Sequence, residues 1–147
     1  MIRVCKDADI AALEGYLKDE PYGKAIAAAL AEFGAEAPFE TVYIDEEPGG
    51  EDAEKKVRGV YLWLHGTLIL YCKENQVGID FLEEMMGIEA PRMVAGRKDN
   101  VNIVSWLLTD YNMETGKALP EFTDKEGSPV ECLGRAEHEG EWAVLRR

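Results

Sequence analysis

Histidine and cysteine are scarce in this chain, and their placement excludes most metal and disulfide chemistry. The two histidines, His65 and His138, lie in different segments without partner ligands at the spacing that a zinc site uses. The three cysteines, Cys5, Cys72 and Cys132, are far apart and form no Cys-x-x-Cys pair. We therefore expect no metal site and no disulfide framework, and we expect a reduced, cytoplasmic protein.

Long apolar runs and an excess of positive charge are also missing. No apolar stretch approaches the roughly 18–20 residues that cross a bilayer, so we expect no membrane span. The 16 Lys and Arg residues are outnumbered by 29 Asp and Glu residues, which gives a formal net charge of −13. Because nucleic acid and anionic membranes would repel such a chain, we expect neither as a partner.

The composition is that of a globular domain with a core. Of the 147 residues, 46% are hydrophobic and 31% are charged. A chain of this length buries enough apolar surface to fold as one domain. We predict a single domain, 1–147, with an α/β body at 1–111, a polar connection at 112–128 and a C-terminal hairpin at 129–147.

The first third of the chain predicts a strand, two helices and a second strand. Apolar residues recur at helical spacing, and Asp7, Pro21 and Gly34 are suited to helix ends. The predicted order is a strand at 1–6, helices at 7–18 and 21–33, and a strand at 39–44. The acidic stretch at 45–56 contains Gly and Pro and predicts an exposed loop.

Residues 57–72 contain the strongest local pattern, an apolar hairpin. They are rich in β-branched and aromatic residues, and His65-Gly66 suits a two-residue turn that pairs Leu64 with Thr67 and Leu62 with Ile69. Both predicted faces are apolar. One carries Val60, Leu62, Leu64, Ile69 and Tyr71, and the other carries Tyr61, Trp63, Leu68, Leu70 and Cys72. Since both faces must be covered, the predicted fold class is α/β (α+β), with a central, mostly antiparallel mixed sheet and helices on both faces.

The second half predicts shorter elements. A helix capped by Asp80 and ended by Gly87 is followed by a strand at 92–95 and a helix capped by Asp99. Beyond the polar connection, apolar residues at 130–136 and 142–145 flank His138-Glu139-Gly140, which predicts the terminal hairpin.

Several short motifs stand out within residues 1–108. They are Met1-Ile2-Arg3, Asp9-Ile10-Ala11-Ala12-Leu13, Pro21-Tyr22-Gly23, Ala29-Leu30-Ala31-Glu32-Phe33-Gly34 and Arg58-Gly59-Val60. With the order strand–helix–helix–strand–strand–strand, they resemble the opening half of the GNAT N-acetyltransferase fold. The chain looks like the degenerate first half of some bacterial proteins with two GNAT-related halves in tandem, whose second half carries catalysis. The resemblance implies a GNAT-like sheet.

In this family, acetyl-CoA lies against a strand, a loop of pattern (Gln/Arg)-x-x-Gly-x-(Gly/Ala) and a helix. The glycines let backbone N–H groups reach the pyrophosphate. No stretch of this chain matches the pattern; in the nearest, residues 92–99, Ala95 and Arg97 stand where the two small residues belong. For a divergent loop, the predicted cofactor ligands are the backbone around Gly96 and the cations Arg97 and Lys98.

A second predicted site lies on the sheet, where the aromatic residues Tyr61, Trp63 and Tyr71 could line a small-molecule pocket. His65 is interpreted as a turn residue. The family's chemistry needs a general base and often a proton-donating tyrosine, and no spacing in this chain singles out such a pair. The catalytic residues are therefore unknown.

These patterns favour a GNAT-related domain without a recognisable acetyl-CoA loop. With no cofactor expected, it would be a non-catalytic ligand- or partner-binding module, working as a homodimer or by docking a catalytic GNAT half. The alternative is a small acetyl-CoA-dependent N-acetyltransferase with a divergent loop from Gly96 to Asp99, acting on a cationic amine that the acidic surface attracts. A third hypothesis is a structural domain that dimerises through a sheet edge or the terminal hairpin.

Overall fold

The computed structural model describes residues 1–47, 56–118, 121–135 and 139–147. In these ranges, seven strands form one sheet in the order β1-β2-β3-β4-β5-β7-β6. The strands are β1 (Ile2–Val4), β2 (Glu40–Glu46), β3 (Val57–Leu64), β4 (Thr67–Tyr71), β5 (Met93–Arg97), β6 (Asn112–Gly116) and β7 (Trp142–Arg146). The helices are α1 (Ile10–Leu17), preceded by a 3₁₀ turn at Asp7–Asp9, and α2 (Pro21–Phe33), α3 (Ile79–Ile88), α4 (Lys98–Val104) and α5 (Glu131–Arg135).

The sheet is mixed and mostly antiparallel. Strands β4 and β5 run parallel, and the other five neighbouring pairs are antiparallel. Helix α3 and the chain on either side of it connect the parallel pair, as a parallel connection requires a crossover. The predicted fold class is confirmed.

The hairpin of β3 and β4 forms in the predicted register. Leu64 pairs with Thr67 and Leu62 pairs with Ile69. His65 and Gly66 form the turn with φ values of +51° and +78°, which is the left-handed backbone that a two-residue hairpin of this kind needs. The two predicted faces also separate as expected, since each contributes to a different buried cluster.

The sheet has a core on each face. Leu13 of α1, Ile26 of α2 and Leu133 of α5 belong to the cluster on one face. Leu82 of α3 and Val101 of α4 belong to the cluster on the other. Burial of these apolar side chains is the main favourable contribution to folding. We name the two sides of the sheet the α2 face and the α4 face.

Helix α2 has the predicted ends because its sequence encodes both of them. Pro21 is its first residue, where a missing N–H costs no helical hydrogen bond. Gly34 follows Phe33 with a φ of +73°, and its N–H donates to the Leu30 carbonyl at 2.9 Å.

The predicted C-terminal hairpin is wrong. Residues 131–135 form α5, and β7 pairs with β5 on one side and with β6 on the other. Strand β6 itself lies at 112–116, inside the predicted polar connection. Its five residues are all exposed, so it lacks the apolar alternation that reveals a half-buried strand. The division of the chain into one domain stays a prediction.

Three smaller predictions are also corrected. Helix α3 begins at Ile79 after Gly78, so Asp80 lies in its first turn and Gly87 lies inside it. Arg97 occupies the cap position of α4, and Asp99 is the second helical residue. Strand β2 continues through Glu46. The rest of the predicted acidic loop, at 48–55, and the turn residue His138 lie outside the described residues.

Candidate functional site

The predicted cofactor glycine, Gly96, is part of the sheet rather than of a loop. It lies inside β5, pairs with Leu70 of β4 and Ala143 of β7, and is buried. A Cβ atom at this position would stand 2.8 Å from the Leu70 carbonyl oxygen. The close approach of β4 therefore explains the glycine without a phosphate ligand.

Arg97, at the end of β5, is saturated with protein acceptors. Its Nη1 donates to both carboxylate oxygens of Glu20 at 3.2 and 3.0 Å. Its Nη2 donates to the carbonyls of Cys72 and Lys73 at 3.0 and 2.8 Å. The carboxylate of Asp99 accepts from Nε at 2.6 Å and from Nη2 at 2.9 Å. Burial lowers the pKa of Arg97, but the Asp99 and Glu20 carboxylates outweigh it and hold that pKa above its usual value.

The backbone amides at the start of α4 are also bound to protein acceptors. The Lys98 amide donates to the Glu141 carbonyl at 2.9 Å, and the Asn100 amide donates to Asp99 Oδ1 at 2.8 Å. The Lys98 side chain, by contrast, has no hydrogen bond or ion pair with any residue in the described ranges. Among the described residues, an anion arriving here would meet the Lys98 ammonium group and an Arg97 guanidinium that is already bound to protein acceptors.

Tyrosines surround the Glu20–Arg97 pair on the α2 face. The Tyr71 hydroxyl donates to Glu20 Oε2 at 2.5 Å, and the ring of Tyr71 lies 5.1 Å from that of Tyr16 and 6.4 Å from that of Tyr22. Burial raises the pKa of both Tyr16 and Tyr71 well above the usual range, and the bond to Glu20 adds to the rise at Tyr71. Both hydroxyls therefore stay protonated, and neither is activated as a base.

The predicted aromatic pocket of Tyr61, Trp63 and Tyr71 is not assembled. Tyr61 and Tyr71 are fully buried and lie in the clusters on opposite faces of the sheet. The Tyr61 hydroxyl accepts the Gly78 amide at 2.8 Å, which ties β3 to the start of α3. Of the three, only Trp63 is partly exposed, and it packs against the cluster on the α4 face.

Trp63 lines two adjoining depressions at the hairpin end of the sheet. The first has a volume of about 610 Å³ and is lined by Pro38, Phe39, Glu40, Thr41, Trp63, His65, Gly66, Glu89, Lys125 and Glu126. The second, about 210 Å³, is lined by Thr41, Tyr43, Trp63, Met85, Ile88 and Glu89. They share Thr41, Trp63 and Glu89, and we name the combined surface the Trp63 groove. Its volume suits a small organic ligand.

The walls of the Trp63 groove are aromatic and apolar, and its rim is charged. The Phe39 and His65 rings stack at 4.7 Å with 6° between their planes. Ile88, at the end of α3, is 86% exposed. The Glu89, Lys125 and Glu126 side chains form no ion pair or hydrogen bond within the described part of the chain and are free to meet a ligand.

Phe39 and Ile88 are among the groove residues that the sequence did not single out. They are 49 positions apart, and only the packing of α3 across the sheet brings them to one surface. An exposed isoleucine at the end of an otherwise amphipathic helix is the local signal that could have indicated it.

Two expected absences concern metals and membranes. Among the residues that the structure describes, no three His, Cys, Asp or Glu side chains are grouped closely enough to hold a metal ion. No helix in the same ranges is both long and apolar enough to cross a membrane.

Comparison with protein-family models, with curated proteins and with solved structures finds no match for this chain. The site is therefore interpreted from its own residues.

Proposed function

We propose that this chain is a GNAT-related domain that binds a ligand or a protein partner without acetyl-CoA chemistry. The observation that supports the proposal is that protein acceptors already occupy the Arg97 guanidinium. Its donors are bound to two carboxylates and two backbone carbonyls. A pyrophosphate would have to displace Glu20 and Asp99, whose negative charges would repel it.

The described element order supports the GNAT-related part of the proposal. Strand β1 is followed by α1, α2, β2, β3 and β4, which is the order behind the family resemblance. The chain also has a strand followed directly by a helix, β5 and α4, which is the kind of junction that holds the cofactor in that family. In this chain, the Arg97 side chain and the Lys98 amide at that junction are bound to protein acceptors.

The Trp63 groove is the binding surface that we assign to the module. It combines a partly exposed indole, a stacked Phe39–His65 pair and the exposed Ile88 with a charged rim. Burying such aromatic and apolar surface is favourable for a flat apolar group, and the rim charges would orient it.

The alternative function is the small N-acetyltransferase, and the free Lys98 side chain is the observation that favours it. Lys98 lines a depression of about 560 Å³ with Arg97, Asp99, Asn102 and Glu141. In this alternative, Lys98 would supply the charge for a cofactor phosphate.

Thermal unfolding with millimolar acetyl-CoA or CoA separates the two functions. A ligand at about 100 times its dissociation constant stabilises the folded state by about 2.7 kcal/mol, which is several degrees for a chain of this size. We expect a shift below about 1 °C. A shift of several degrees that disappears in Lys98→Ala, together with transfer to an amine, would overturn the proposal.

Ligand-observed NMR with indole and benzylammonium tests the groove. We expect both probes to bind the native chain weakly and to lose binding in Ile88→Asp, since this substitution places a charge at an exposed groove position without touching the core. Trp106→Ala is the matched control, because Trp106 is 64% exposed in the chain after α4 and away from the groove. Equal binding by the Ile88→Asp variant and the native chain would contradict the groove assignment.

A further inference from the structure

Glu40 carries a carboxyl group that is buried beside the connection between α2 and β2. It is the first residue of β2, pairs in register with Leu64, and shares the α2 face with the buried residues Val42 and Ile44. Its exposed fraction is 7%, and neither of its carboxylate oxygens receives a hydrogen bond from the described residues. Burying a polar group without a hydrogen bond costs free energy, and burying an ionised group in this way costs much more.

Asp45, at the other end of the same strand, provides the contrast. It is also buried, at 4% exposure, but Arg58 donates to its Oδ1 at 3.0 Å. The same strand thus contains one buried carboxyl with a cation and one without.

Among the charged groups around Glu40, Lys125 lines the same depression, but it forms no hydrogen bond with the Glu40 carboxyl group. Cys5, after β1, is a buried thiol, and Asp7 contributes a second carboxylate, which accepts the Ala35 amide at 2.8 Å. Glu36, in the connection between α2 and β2, is exposed and pairs with Lys6 at 3.8 Å. His65, on the β3–β4 turn, stacks on Phe39. Burial raises the pKa of Glu40 to about 7, the Ala37 backbone opposes the rise, and the Asp7 carboxylate adds to it.

We infer that Glu40 is a proton-operated lock on the connection between α2 and β2. With its proton, the neutral carboxylic acid stays buried and residues 34–39 stay closed over it. Without the proton, the carboxylate needs water, and the route to water is the opening of this connection.

The connection can open without unfolding a helix or a strand, because turn and side-chain hydrogen bonds and the ring contacts of Phe39 hold it in place. It has no regular secondary structure, and its hydrogen bonds include Ala35 N–H to Asp7 and Glu40 N–H to the Ala37 carbonyl at 3.1 Å. It also carries Pro38 and Phe39, which line the Trp63 groove. Opening would therefore disturb one wall of that groove. The inference itself rests on Glu40 and not on the proposed function.

Carbon-13 NMR of the glutamate carboxyl groups in the full chain measures the proton directly, with Glu40→Gln to assign the resonance. We expect Glu40 to titrate near pH 7. A midpoint between pH 4 and 5, the ordinary range for glutamate, would overturn the inference. The titration is measured on the native chain, and triple-resonance assignment of the side chain replaces the variant if Glu40→Gln folds poorly.

Amide hydrogen exchange tests the opening. After correction for the intrinsic effect of pH, we expect exchange at Ala35 and Glu40 to rise about tenfold between pH 6 and pH 8 in the native chain, and not in Glu40→Gln. Glu83→Gln, which alters an exposed carboxylate on α3, should keep the native behaviour. Titration near pH 7 without faster exchange would also overturn the inference, because Glu40 would then be a buried acid that controls nothing.

Discussion

Arg97 links the start of its own helix to two connections that are distant in sequence. Its guanidinium binds Glu20 before α2, the carbonyls of Cys72 and Lys73 after β4, and Asp99 at the start of α4. The side chain is 16% exposed, so its removal would leave these acceptors unpaired in a poorly hydrated place.

We therefore expect Arg97→Lys to lower the free energy of unfolding by about 3 kcal/mol, because one ammonium cannot reproduce the planar fork that serves four groups. Urea unfolding followed by circular dichroism measures the change. Lys98→Ala is the adjacent control and should alter the free energy by less than about 0.5 kcal/mol. Equal effects of the two substitutions would contradict the role assigned to Arg97.

Sequence reasoning found some residues of these sites and assigned others wrongly. Arg97 was selected for its charge, but its partner Glu20 is 77 residues away and no local pattern connects them. Trp63 lines a groove, but this groove includes neither Tyr61 nor Tyr71, with which the sequence grouped it. Tyr71 was grouped with Trp63, although side chains alternate between the two faces of a sheet and the hairpin register places these two on opposite faces. The sequence alone was sufficient to separate them.

Helices α1 and α2 cross at a point where only glycine fits. A Cβ atom on Gly23 would stand 2.4 Å from the Leu17 carbonyl oxygen. Gly15, in α1, has no such neighbour within 4 Å. The two positions therefore separate the effect of helix propensity from that of packing.

Gly15→Ala should raise the free energy of unfolding by up to about 1 kcal/mol, since alanine is the better helix former. Gly23→Ala should lower it by about 2 kcal/mol, because the backbone of the neighbouring helix must move. Thermal and urea unfolding of the two variants measure the difference. Stabilisation by both substitutions would show that the helices cross less closely than described.

Elements with local signals were predicted well, and elements defined by distant partners were not. Pro21 and Gly34 fix the ends of α2, and His65-Gly66 fixes the hairpin, so neighbouring residues suffice in both cases. Strand β7 pairs with β5, about 45 residues earlier, and the intervening α5 is only five residues long. The secondary structure of such a segment is determined by tertiary packing, which overrides local propensity.

The free energy of unfolding of the whole molecule should depend on the protonation of Glu40. Its pKa of about 7 in the folded chain exceeds its ordinary value of 4.5, so between these two pH values the folded state holds a proton that the unfolded state has released. The contribution of this proton is complete below pH 4.5 and is lost as the pH rises to 7.

Relative to Glu40→Gln, the native chain should therefore lose about 3 kcal/mol of unfolding free energy between pH 4.5 and pH 7.5. Urea unfolding at each pH gives the difference between the two proteins, in which the contributions of the ionisable groups that they share cancel. A difference that does not depend on pH would contradict this expectation.

The buried thiols give a second measure of global stability. Cys5 and Cys72 are fully buried, and burial raises the pKa of Cys5 to about 11 and that of Cys72 to about 12. In a Cys132→Ala background at pH 8, we expect a disulfide reagent to label them only as fast as the chain unfolds. Labelling in the native state that urea does not accelerate would show that the thiols are accessible without unfolding.

The insertion of β7 between β5 and β6 sets an order of events during synthesis. When the ribosome has made β6, that strand has no neighbour, and the edge of β5 is open. At about 5–20 residues per second, the 25 residues between the end of β6 and the start of β7 take a second or more to follow. For that interval, the nascent sheet ends at an unpaired strand to which another chain could pair. Strand β7 is thus the one that covers the open edge of β5 and protects it from pairing with another chain.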